Sequence, residues 1–266
     1  MAADETALIA LAERLADAAR RETLARFRAR DLAADNKAAT GFDPVTEADL
    51  AAERAMRAIL AKEAPDDAVA GEEMEDAAGT SGRRWVLDPI DGTRGYLSGT
   101  PCWGTLIALE DAGRPVLGLI DQPFIGERFL GGFGEARYVG PHGAGALRTR
   151  EARPLSEAVL FTTHPGIGSA AERGAFEALS RAVRLTRYGL DCYAYALLAA
   201  GQIDLVVEAD LKSCDIAAPI AVIEAAGGRV SDWRGGPATA GGQVIAAAND
   251  TVHAAALELL NAGQSR

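Results

Sequence analysis

Trp85-Val86-Leu87-Asp88-Pro89-Ile90-Asp91-Gly92-Thr93 is the stretch of this 266-residue chain that says most about its fold. The first three residues predict a buried strand, and Pro89 disfavours a helical conformation at Asp88. Two acids three residues apart can converge on one point, where a hard cation such as Mg²⁺ would bind their oxygens and the carbonyl of Ile90. Taken alone, Asp88 and Asp91 have an alternative interpretation as turn formers or helix caps.

Two other acidic features occupy comparable positions. Gly71-Glu72-Glu73 follows a short apolar run, and Ser213-Cys214-Asp215 precedes the apolar segment 216–226. Alone, the glutamates could be solvated surface, and Asp215 could be a helix cap. All three features nevertheless lie at strand ends or helix starts, where α/β proteins assemble their sites. Carboxylates gathered in one cleft repel one another unless cations lie between them, so the coincidence predicts a metal cluster.

The spacing of apolar residues predicts two helices before any strand of the main sheet. Helical spacing runs over residues 4–30, and Thr46-Glu47-Ala48-Asp49 resembles a capping box opening a second helix that ends near residue 61. Short apolar runs then predict strands, with 105–109 and 116–120 forming a hairpin around Asp111-Ala112-Gly113-Arg114. Residues 129–139 are expected to extend this mostly antiparallel sheet.

Strands and helices alternate in the rest of the chain. Strands are predicted at 159–163, 183–188, 203–208 and 244–247, and helices at 170–181, 192–200, 215–226 and the chain end. This alternation indicates an α/β lobe with covered sheet faces. We therefore expect an N-terminal lobe, 1–153, with two long helices and most metal ligands, and a C-terminal lobe, 154–266, that carries Asp215.

The composition is that of an ordinary globular protein, with 48% hydrophobic and 24% charged residues. The net charge of -11 opposes binding to nucleic acid, which depends on Lys and Arg. No segment approaches the roughly 20 uninterrupted apolar residues of a membrane span, and Asp4 and Glu5 lie where a secretory signal carries basic residues. The cysteines lack the spacing of a zinc knuckle or a redox pair. We expect a soluble, cytoplasmic protein with no nucleic-acid or membrane partner.

Four motifs resemble, in order, those of the inositol monophosphatase superfamily. They are Asp43-Pro44-Val45-Thr46-Glu47-Ala48-Asp49, Gly71-Glu72-Glu73, Asp88-Pro89-Ile90-Asp91-Gly92-Thr93, and Asp215-Ile216-Ala217-Ala218 with Glu224-Ala225-Ala226-Gly227-Gly228. The resemblance spans residues 43–228, and its third motif is highly specific. It implies a mixed α/β (α+β) fold of the layered α-β-α-β-α sandwich type, a cofactor of two or three Mg²⁺ ions, and a homodimer.

The resemblance also implies roles for individual residues. The implied metal ligands are Glu72, Asp88, Asp91, Asp215 and the carbonyl of Ile90. The implied catalytic residues are Asp49, Thr93 and Glu72, with Asp49 and Thr93 orienting and deprotonating the attacking water. The amides of Gly92 and Thr93 would bind phosphate oxygens if a helix or nest starts there. Asp49 could instead cap the second helix, three residues after Thr46.

Three further stretches look like the histidinol-phosphate phosphatase branch, which acts in histidine biosynthesis. They are Trp103-Gly104-Thr105-Leu106-Ile107-Ala108-Leu109, Pro115-Val116-Leu117-Gly118-Leu119-Ile120-Asp121-Gln122-Pro123 and Gly189-Leu190-Asp191-Cys192-Tyr193-Ala194-Tyr195-Ala196. The implied activity is hydrolysis of this small phosphate ester by water, with no covalent phosphoenzyme. Because histidinol phosphate carries an ammonium and an imidazole, its pocket should present carboxylates, and Asp191 and Glu208 in the C-terminal lobe are the candidates. Each could instead be a solvated acid or a local cap.

Two positions depart from the family pattern. Arg94-Gly95-Tyr96 follows Thr93 where a small or basic residue, a small polar one and an aromatic are more frequent, and Cys214 stands where an aromatic is common. Both departures could reshape the substrate pocket. The alternative functions are an inositol monophosphatase or a broad small-molecule phosphatase, and, in another class, a non-catalytic protein that binds a metabolite.

Overall fold

The computed structural model of the chain describes residues 3–30, 32–36 and 44–262, so Asp43 of the first motif lies outside the described residues. The helices are α1 (Ala3–Arg26), α2 (Glu47–Glu63), α3 (Thr93–Leu97), α4 (Ala170–Ala182), α5 (Cys192–Ala199), α6 (Ser213–Ala225) and α7 (Asp250–Asn261). The strands are β1 (Ala34–Asn36), β2 (Pro44–Thr46), β3 (Ala68–Gly71), β4 (Arg83–Asp91), β5 (Gly104–Asp111), β6 (Arg114–Gln122), β7 (Glu127–Gly132), β8 (Glu135–Gly140), β9 (Gly143–Ala146), β10 (Val159–Thr162), β11 (Leu185–Tyr188), β12 (Leu205–Leu211), β13 (Arg229–Ser231) and β14 (Gly242–Ala247). Within the described ranges, no helix combines the length and the apolar character needed to cross a membrane.

Two large sheets and a two-stranded ribbon organise the strands. The seven-stranded sheet has the order β3-β4-β5-β6-β7-β8-β9, in which only the β3–β4 pair is parallel. The five-stranded sheet has the order β11-β10-β12-β14-β13, with β10 parallel to both of its neighbours and the other pairs antiparallel. The predicted hairpin is confirmed by the pairing of β5 with β6, in which Asp111 lies opposite Arg114.

The layers alternate between helices and sheets through the whole molecule. Helices α1 and α2 pack on one face of the seven-stranded sheet, around side chains such as Leu15 and Trp85. Helices α5 and α6 fill the space between the two sheets, where Ile216 and Val222 are fully buried. Helices α4 and α7 cover the outer face of the five-stranded sheet, around Trp233. This is the predicted α-β-α-β-α sandwich, so the predicted fold class is confirmed.

Two glycines allow α6 to lie directly on the seven-stranded sheet. A Cβ atom at Gly118 would lie 2.3 Å from the carbonyl oxygen of Ala218, and one at Gly131 would lie 2.5 Å from Cα of Val222. Larger residues on these strands would therefore push the helix away. The close contact fixes the start of α6, and with it Asp215, relative to the neighbouring strand β4.

Several predicted helix boundaries differ from the observed ones; helix α2, for example, ends at Glu63 rather than near residue 61. Helix α1 ends at Arg26 rather than near residue 30, because Arg28 adopts a left-handed φ of 62° that cannot continue a right-handed helix. Helix α6 begins at Ser213, two residues before the predicted start, with Lys212 as its N-cap residue. Asp215 is consequently the third residue of the helix.

Candidate active site

Acidic residues from distant parts of the chain meet in one cleft of about 890 Å³. The end of β4, the start of α3, the turn before α5 and the segment that joins β12 to α6 surround it. The predicted metal ligands that line it are Glu72, Asp88, Ile90, Asp91 and Asp215. The predicted substrate-binding residues that line it are Gly92, Thr93, Asp191 and Glu208. The structure therefore brings all of these candidates together, whereas the buried Asp49 does not line the cleft.

Four side chains form the tightest acidic group in the cleft. One potential ligand atom from each of Glu72, Asp88, Cys214 and Asp215 lies within 4.8 Å of the other three. Three of these residues are predicted metal ligands, whereas sequence reasoning noted Cys214 only as a departure from the family pattern. Asp91 is outside this group, although its negative charge is close enough to raise the pKa of Asp88.

Strand β4 carries Asp88 and Asp91 into the cleft because it continues through Pro89, beyond the predicted end at residue 87. Its register against β5 shifts between the two acids, and this irregularity accommodates a proline, which has no N–H to donate. Oδ1 of Asp88 accepts a hydrogen bond from the Ile90 N–H at 3.1 Å. Oδ2 of Asp88 is buried and has no hydrogen-bond partner among the described residues. Such an unsatisfied oxygen fits a site that a cation completes.

The acids of the cleft raise one another's pKa values. Burial raises the pKa of Asp88 well above its ordinary value, and the charges of Glu72, Asp91 and Asp215 raise it further. Burial also raises the pKa of Asp91, with a second contribution from Asp191. Divalent cations relieve repulsion of this kind, and carboxylate and carbonyl oxygens are the donors that Mg²⁺ prefers. The donor set therefore fits a hard metal ion.

Asp49 and Asp215 each use one carboxylate oxygen to cap a helix. Oδ2 of Asp49 accepts from the backbone N–H and the hydroxyl of Thr46 at the start of α2, and Oδ2 of Asp215 accepts from the Lys212 N–H at the start of α6. The capping alternative is thus realised for both residues. The other oxygen of Asp49, Oδ1, is buried with no partner in the described ranges, whereas Oδ1 of Asp215 accepts a hydrogen bond from the thiol of Cys214 at 3.5 Å.

Asp49 is as deeply buried as Asp88, although it does not line the cleft. Its side chain is fully buried, and this burial raises its pKa to about 6 even though hydrogen bonds from Thr46 act in the opposite direction. The negative charge of Glu72 contributes to the increase. The Thr93 hydroxyl donates to the carbonyl oxygen of Ile90 at 3.1 Å, and no hydrogen bond joins it to Asp49 in the part of the chain that the structure describes. A pairing of Asp49 with Thr93 around a water therefore stays a prediction.

Gly92 makes the sharp turn that follows the second aspartate of β4. Its φ of 87° and ψ of 39° lie in the left-handed region that favours glycine. A Cβ atom here would lie 3.0 Å from Cγ of Asp191 and 3.0 Å from the carbonyl oxygen of Cys102. Helix α3 begins at the next residue, Thr93, so N–H groups that have no acceptor within the helix lie in this part of the cleft. The predicted binding of phosphate by the amides of Gly92 and Thr93 required a helix or nest to start here, and a helix does start here.

Glu208 is a buried acid held by the neighbouring strand. Its carboxylate accepts hydrogen bonds from the Thr162 hydroxyl, the Thr163 hydroxyl and the Thr163 N–H, at 2.6 to 3.0 Å. Burial nevertheless raises its pKa to about 7. Sequence reasoning missed the two threonines, although they end the predicted strand 159–163, which pairs with the strand that carries Glu208.

Asp191 reaches the cleft from a strained turn. Its φ of 46° and ψ of -132° are unusual for a residue with a Cβ atom, and its side chain does not cap α5, although the residue occupies the N-cap position. Burial raises its pKa to about 6, while the positive charge of Arg94 acts in the opposite direction. Arg94, which departs from the family pattern, therefore places a positive charge near Asp191, one of the two predicted substrate-binding acids.

Comparisons with known proteins identify a family. The model of the inositol monophosphatase family matches residues 4–265. A histidinol-phosphatase of Streptomyces coelicolor is 38% identical over 258 residues, which cover 94% of this chain and 96% of that protein. The chloroplastic bifunctional phosphatase IMPL2 of Arabidopsis thaliana is 41% identical over 233 residues, which cover 82% of this chain and 66% of that protein. A solved inositol monophosphatase from Zymomonas mobilis superposes with a TM-score of 0.85 at 42% identity, covering 98% of this chain and 100% of that one. With a family model that matches nearly its whole length, this chain belongs to the inositol monophosphatase family.

Proposed function

We propose that this protein hydrolyses L-histidinol phosphate to L-histidinol and phosphate with Mg²⁺ as its cofactor. Its family and its relatives make it a phosphoric monoester hydrolase. The observation that supports the substrate is the pair Asp191 and Glu208, two acids that line the same cleft as the candidate metal ligands. The similarity to a histidinol-phosphatase over almost the full length of both chains supports the same assignment.

The cationic part of histidinol phosphate matches these two acids. Asp191 raises the pKa of Glu208 and the pKa of Asp91, so it lies within electrostatic range of both. An ammonium or imidazolium bound beside the two acids would favour their ionised forms and offset the cost of burying them. A neutral polyol would offer no such compensation.

The metal ligands in this proposal are Glu72, Asp88, Asp91, Asp215 and the carbonyl of Ile90. Two or three bound Mg²⁺ ions would supply positive charge to the phosphoryl oxygens and activate the attacking water. The buried Oδ2 of Asp88, which lacks a partner within the described residues, supports a cation at this point.

Asp49, Thr93 and Glu72 orient and deprotonate the water in this proposal. Oδ1 of Asp49 is not used by the cap, and a pKa of about 6 suits a group that accepts a proton near neutral pH. The carbonyl of Ile90 holds the Thr93 hydroxyl in place. The amides of Gly92 and Thr93 hold phosphate oxygens at the start of α3.

The same proposal includes the arrangement of the chain and its place in the cell. The N-terminal lobe, 1–153, contains the seven-stranded sheet and most metal ligands, and the C-terminal lobe, 154–266, contains the five-stranded sheet, Asp215 and the acids for the substrate. A cytoplasmic homodimer remains the prediction drawn from the family resemblance.

The test compares two substrates across matched variants. Phosphate release from histidinol phosphate and from inositol monophosphate is measured for the wild type, Asp191→Asn and Glu208→Gln. Loss of a charged contact costs about 1.5–3 kcal/mol, so we expect each variant to lose roughly 10- to 100-fold on histidinol phosphate and much less on inositol monophosphate. Glu224→Gln, which neutralises an acid of α6 outside the cleft, is the control. Equal losses on both substrates would reject the assignment of the pocket.

The dependence on metal is tested separately from the substrate. Phosphate release by the wild type should stop when divalent ions are removed and return with Mg²⁺, and Asp91→Asn should be inactive on every phosphate ester. If Asp91→Asn released phosphate as the wild type does, the metal mechanism would be wrong. If the wild type released no phosphate from any ester with Mg²⁺ present, a non-catalytic binding function would be favoured instead.

A second candidate is an inositol monophosphatase. The observation in its favour is the 42% identity with the Zymomonas mobilis inositol monophosphatase, a value above the 38% found for the histidinol-phosphatase. Faster release from inositol monophosphate than from histidinol phosphate by the wild type would favour this second function.

A further inference from the structure

Cys214 brings a sulfur atom into the carboxylate group of the cleft. Its Sγ is one of the four potential ligand atoms that lie within 4.8 Å of one another. The side chain is 9% exposed, and its thiol lies 3.5 Å from Oδ1 of Asp215, so it points toward the acids. Neither Cys102 nor Cys192 belongs to a group of this kind in the described ranges. The sulfur at this position is therefore part of the cluster and not only a filler of the core.

A second feature of the same group independently indicates a cation. Asp88 is 1% exposed, and its Oδ1 accepts from the Ile90 N–H while its Oδ2 has no hydrogen-bond partner among the residues that the structure describes. A buried carboxylate oxygen without a donor is costly unless a positive charge satisfies it. The group thus combines an unsatisfied acid with a soft donor.

We infer that Cys214 gives this centre a soft fourth ligand, so that it binds a thiophilic ion such as Zn²⁺ in competition with Mg²⁺. Three carboxylates and one thiolate supply the four ligands of a tetrahedral zinc site, whereas Mg²⁺ takes oxygen ligands in octahedral geometry. In tetrahedral geometry, zinc–oxygen and zinc–sulfur distances of about 2.1 and 2.3 Å place the ligand atoms roughly 3.4–3.6 Å apart. The four ligand atoms, which lie within 4.8 Å of one another, therefore have to move together by up to about 1 Å to close around the ion. The thiol proton leaves to water when the sulfur binds the ion.

The consequence for activity follows from the number of ligands. A centre whose four positions are all filled by protein is closed, as in structural zinc sites, and has no open position for a reacting water. Zinc bound in this way should therefore inhibit phosphate release. The inference rests on the proposed metal centre but not on the proposed substrate.

The direct test uses the full chain, freed of metal and titrated with Co²⁺, because a cobalt–thiolate bond gives a charge-transfer band in the near ultraviolet. We expect the band in the wild type and in Cys192→Ser, and its loss in Cys214→Ser. Cys192 is a matched control because it is buried and its backbone N–H donates to Asp91. The inference is overturned if Cys214→Ser keeps the band, or if the wild type lacks it, whether or not calorimetry detects bound Co²⁺.

The inference can still be tested if Cys214→Ser does not fold. Circular dichroism identifies such a defect, and the wild type, Cys192→Ser and Cys102→Ser then assign the band by elimination. A band that persists in both serine variants supports the inference, and a band that either variant removes overturns it.

Inhibition by zinc gives a second readout with Mg²⁺ present. Loss of a residue that only supports a metal ligand weakens metal binding by about 10- to 100-fold, so Cys214→Ser should need at least roughly 10-fold more Zn²⁺ for half-inhibition. Unchanged zinc sensitivity would overturn the inference. A wild type that shows the cobalt band but releases no phosphate would instead reject the proposed function and leave the role of Cys214 intact.

Discussion

The ammonium group of Lys212 lies 2.9 Å from Oε1 of Glu72, two residues that are 140 positions apart in the chain. Lys212 is also the N-cap residue of α6, and its backbone N–H donates to Asp215. One residue therefore links two candidate metal ligands. Its positive charge partly offsets the repulsion among the acids, and a metal ion that binds Glu72 has to compete with it.

We expect Lys212→Met to bind Mg²⁺ more tightly, because the variant removes a competing cation. The lysine side chain is about half exposed, so the pair is worth only about 0.2–1 kcal/mol, which corresponds to a shift of up to roughly fivefold. The measurement is the Mg²⁺ concentration that gives half-maximal phosphate release. Lys62→Met, an exposed change in the last turn of α2, is the control. Weaker Mg²⁺ binding by Lys212→Met would show that the lysine holds Glu72 in position.

Asp49→Asn separates the capping role of this residue from its proposed catalytic role. The amide oxygen of asparagine can still accept from the Thr46 N–H, so the cap and most of the stability should remain. The amide cannot accept a proton from water, and we expect phosphate release to fall by about 100-fold or more. Both the free energy of unfolding and the rate of phosphate release are measured.

Asp49→Ala provides the comparison for this prediction. It removes the cap as well as the carboxylate, and should cost about 1 kcal/mol of stability in addition to the activity. If Asp49→Asn kept the activity of the wild type, Asp49 would be a helix cap alone, and the water would have to be deprotonated by another group.

The patterns that predicted the site were local ones. The run before Asp88 predicts a strand, and Asp215 heads an apolar segment, so the chain positions of both acids indicate a cleft before any geometry is known. Glycines in the seven-stranded sheet, such as Gly118, allow α6 to contact the sheet closely, which brings the start of α6 near the end of β4. The family resemblance, based on four motifs in the same order, added the roles of the individual residues.

What the sequence could not predict depends on contacts between distant residues. The contact between Lys212 and Glu72 depends on how α6 is placed relative to β3. Which oxygen of Asp49 caps the helix and which has no partner among the described residues depends on the orientation of its side chain. The length of β4 was underestimated because Pro89 normally ends a strand, whereas here a register shift accommodates it. Cys214 belongs to no metal-binding sequence motif, and only its distance from the acids in the folded chain identifies it as a possible metal ligand.

The stability of the metal-free protein should fall as the pH rises. Burial raises the pKa of Asp49 and of Asp191 to about 6 and that of Glu208 to about 7, above their unfolded values. The folded state then binds more protons than the unfolded state between about pH 4 and 7, so the free energy of unfolding decreases through this window. A group as buried as Asp49 contributes roughly 1–3 kcal/mol.

Bound metal should reverse this trend, because carboxylates bind cations in their ionised form. Urea unfolding at about pH 5 and about pH 8, with and without Mg²⁺, measures both effects. We expect Mg²⁺ to stabilise the protein more at the higher pH, and Glu208→Gln to flatten the pH dependence of the metal-free protein. Stability of the metal-free protein that increases across this window would contradict the assignment.

Asp191→Gly should make the protein more stable and less active at the same time. The backbone at Asp191, with a φ of 46° and a ψ of -132°, has a conformation that glycine adopts without strain and that costs other residues about 1–3 kcal/mol. The greater freedom of glycine in the unfolded chain offsets part of this gain, so we expect a net increase of roughly 1 kcal/mol. Asp191→Asn is the matched control, because it removes the same negative charge beside Asp91 but keeps the strained backbone. Both variants should lose turnover of histidinol phosphate, and only the glycine variant should gain the part of the stability that comes from strain. Equal free energies of unfolding for the two variants would show that the turn at Asp191 stores no strain.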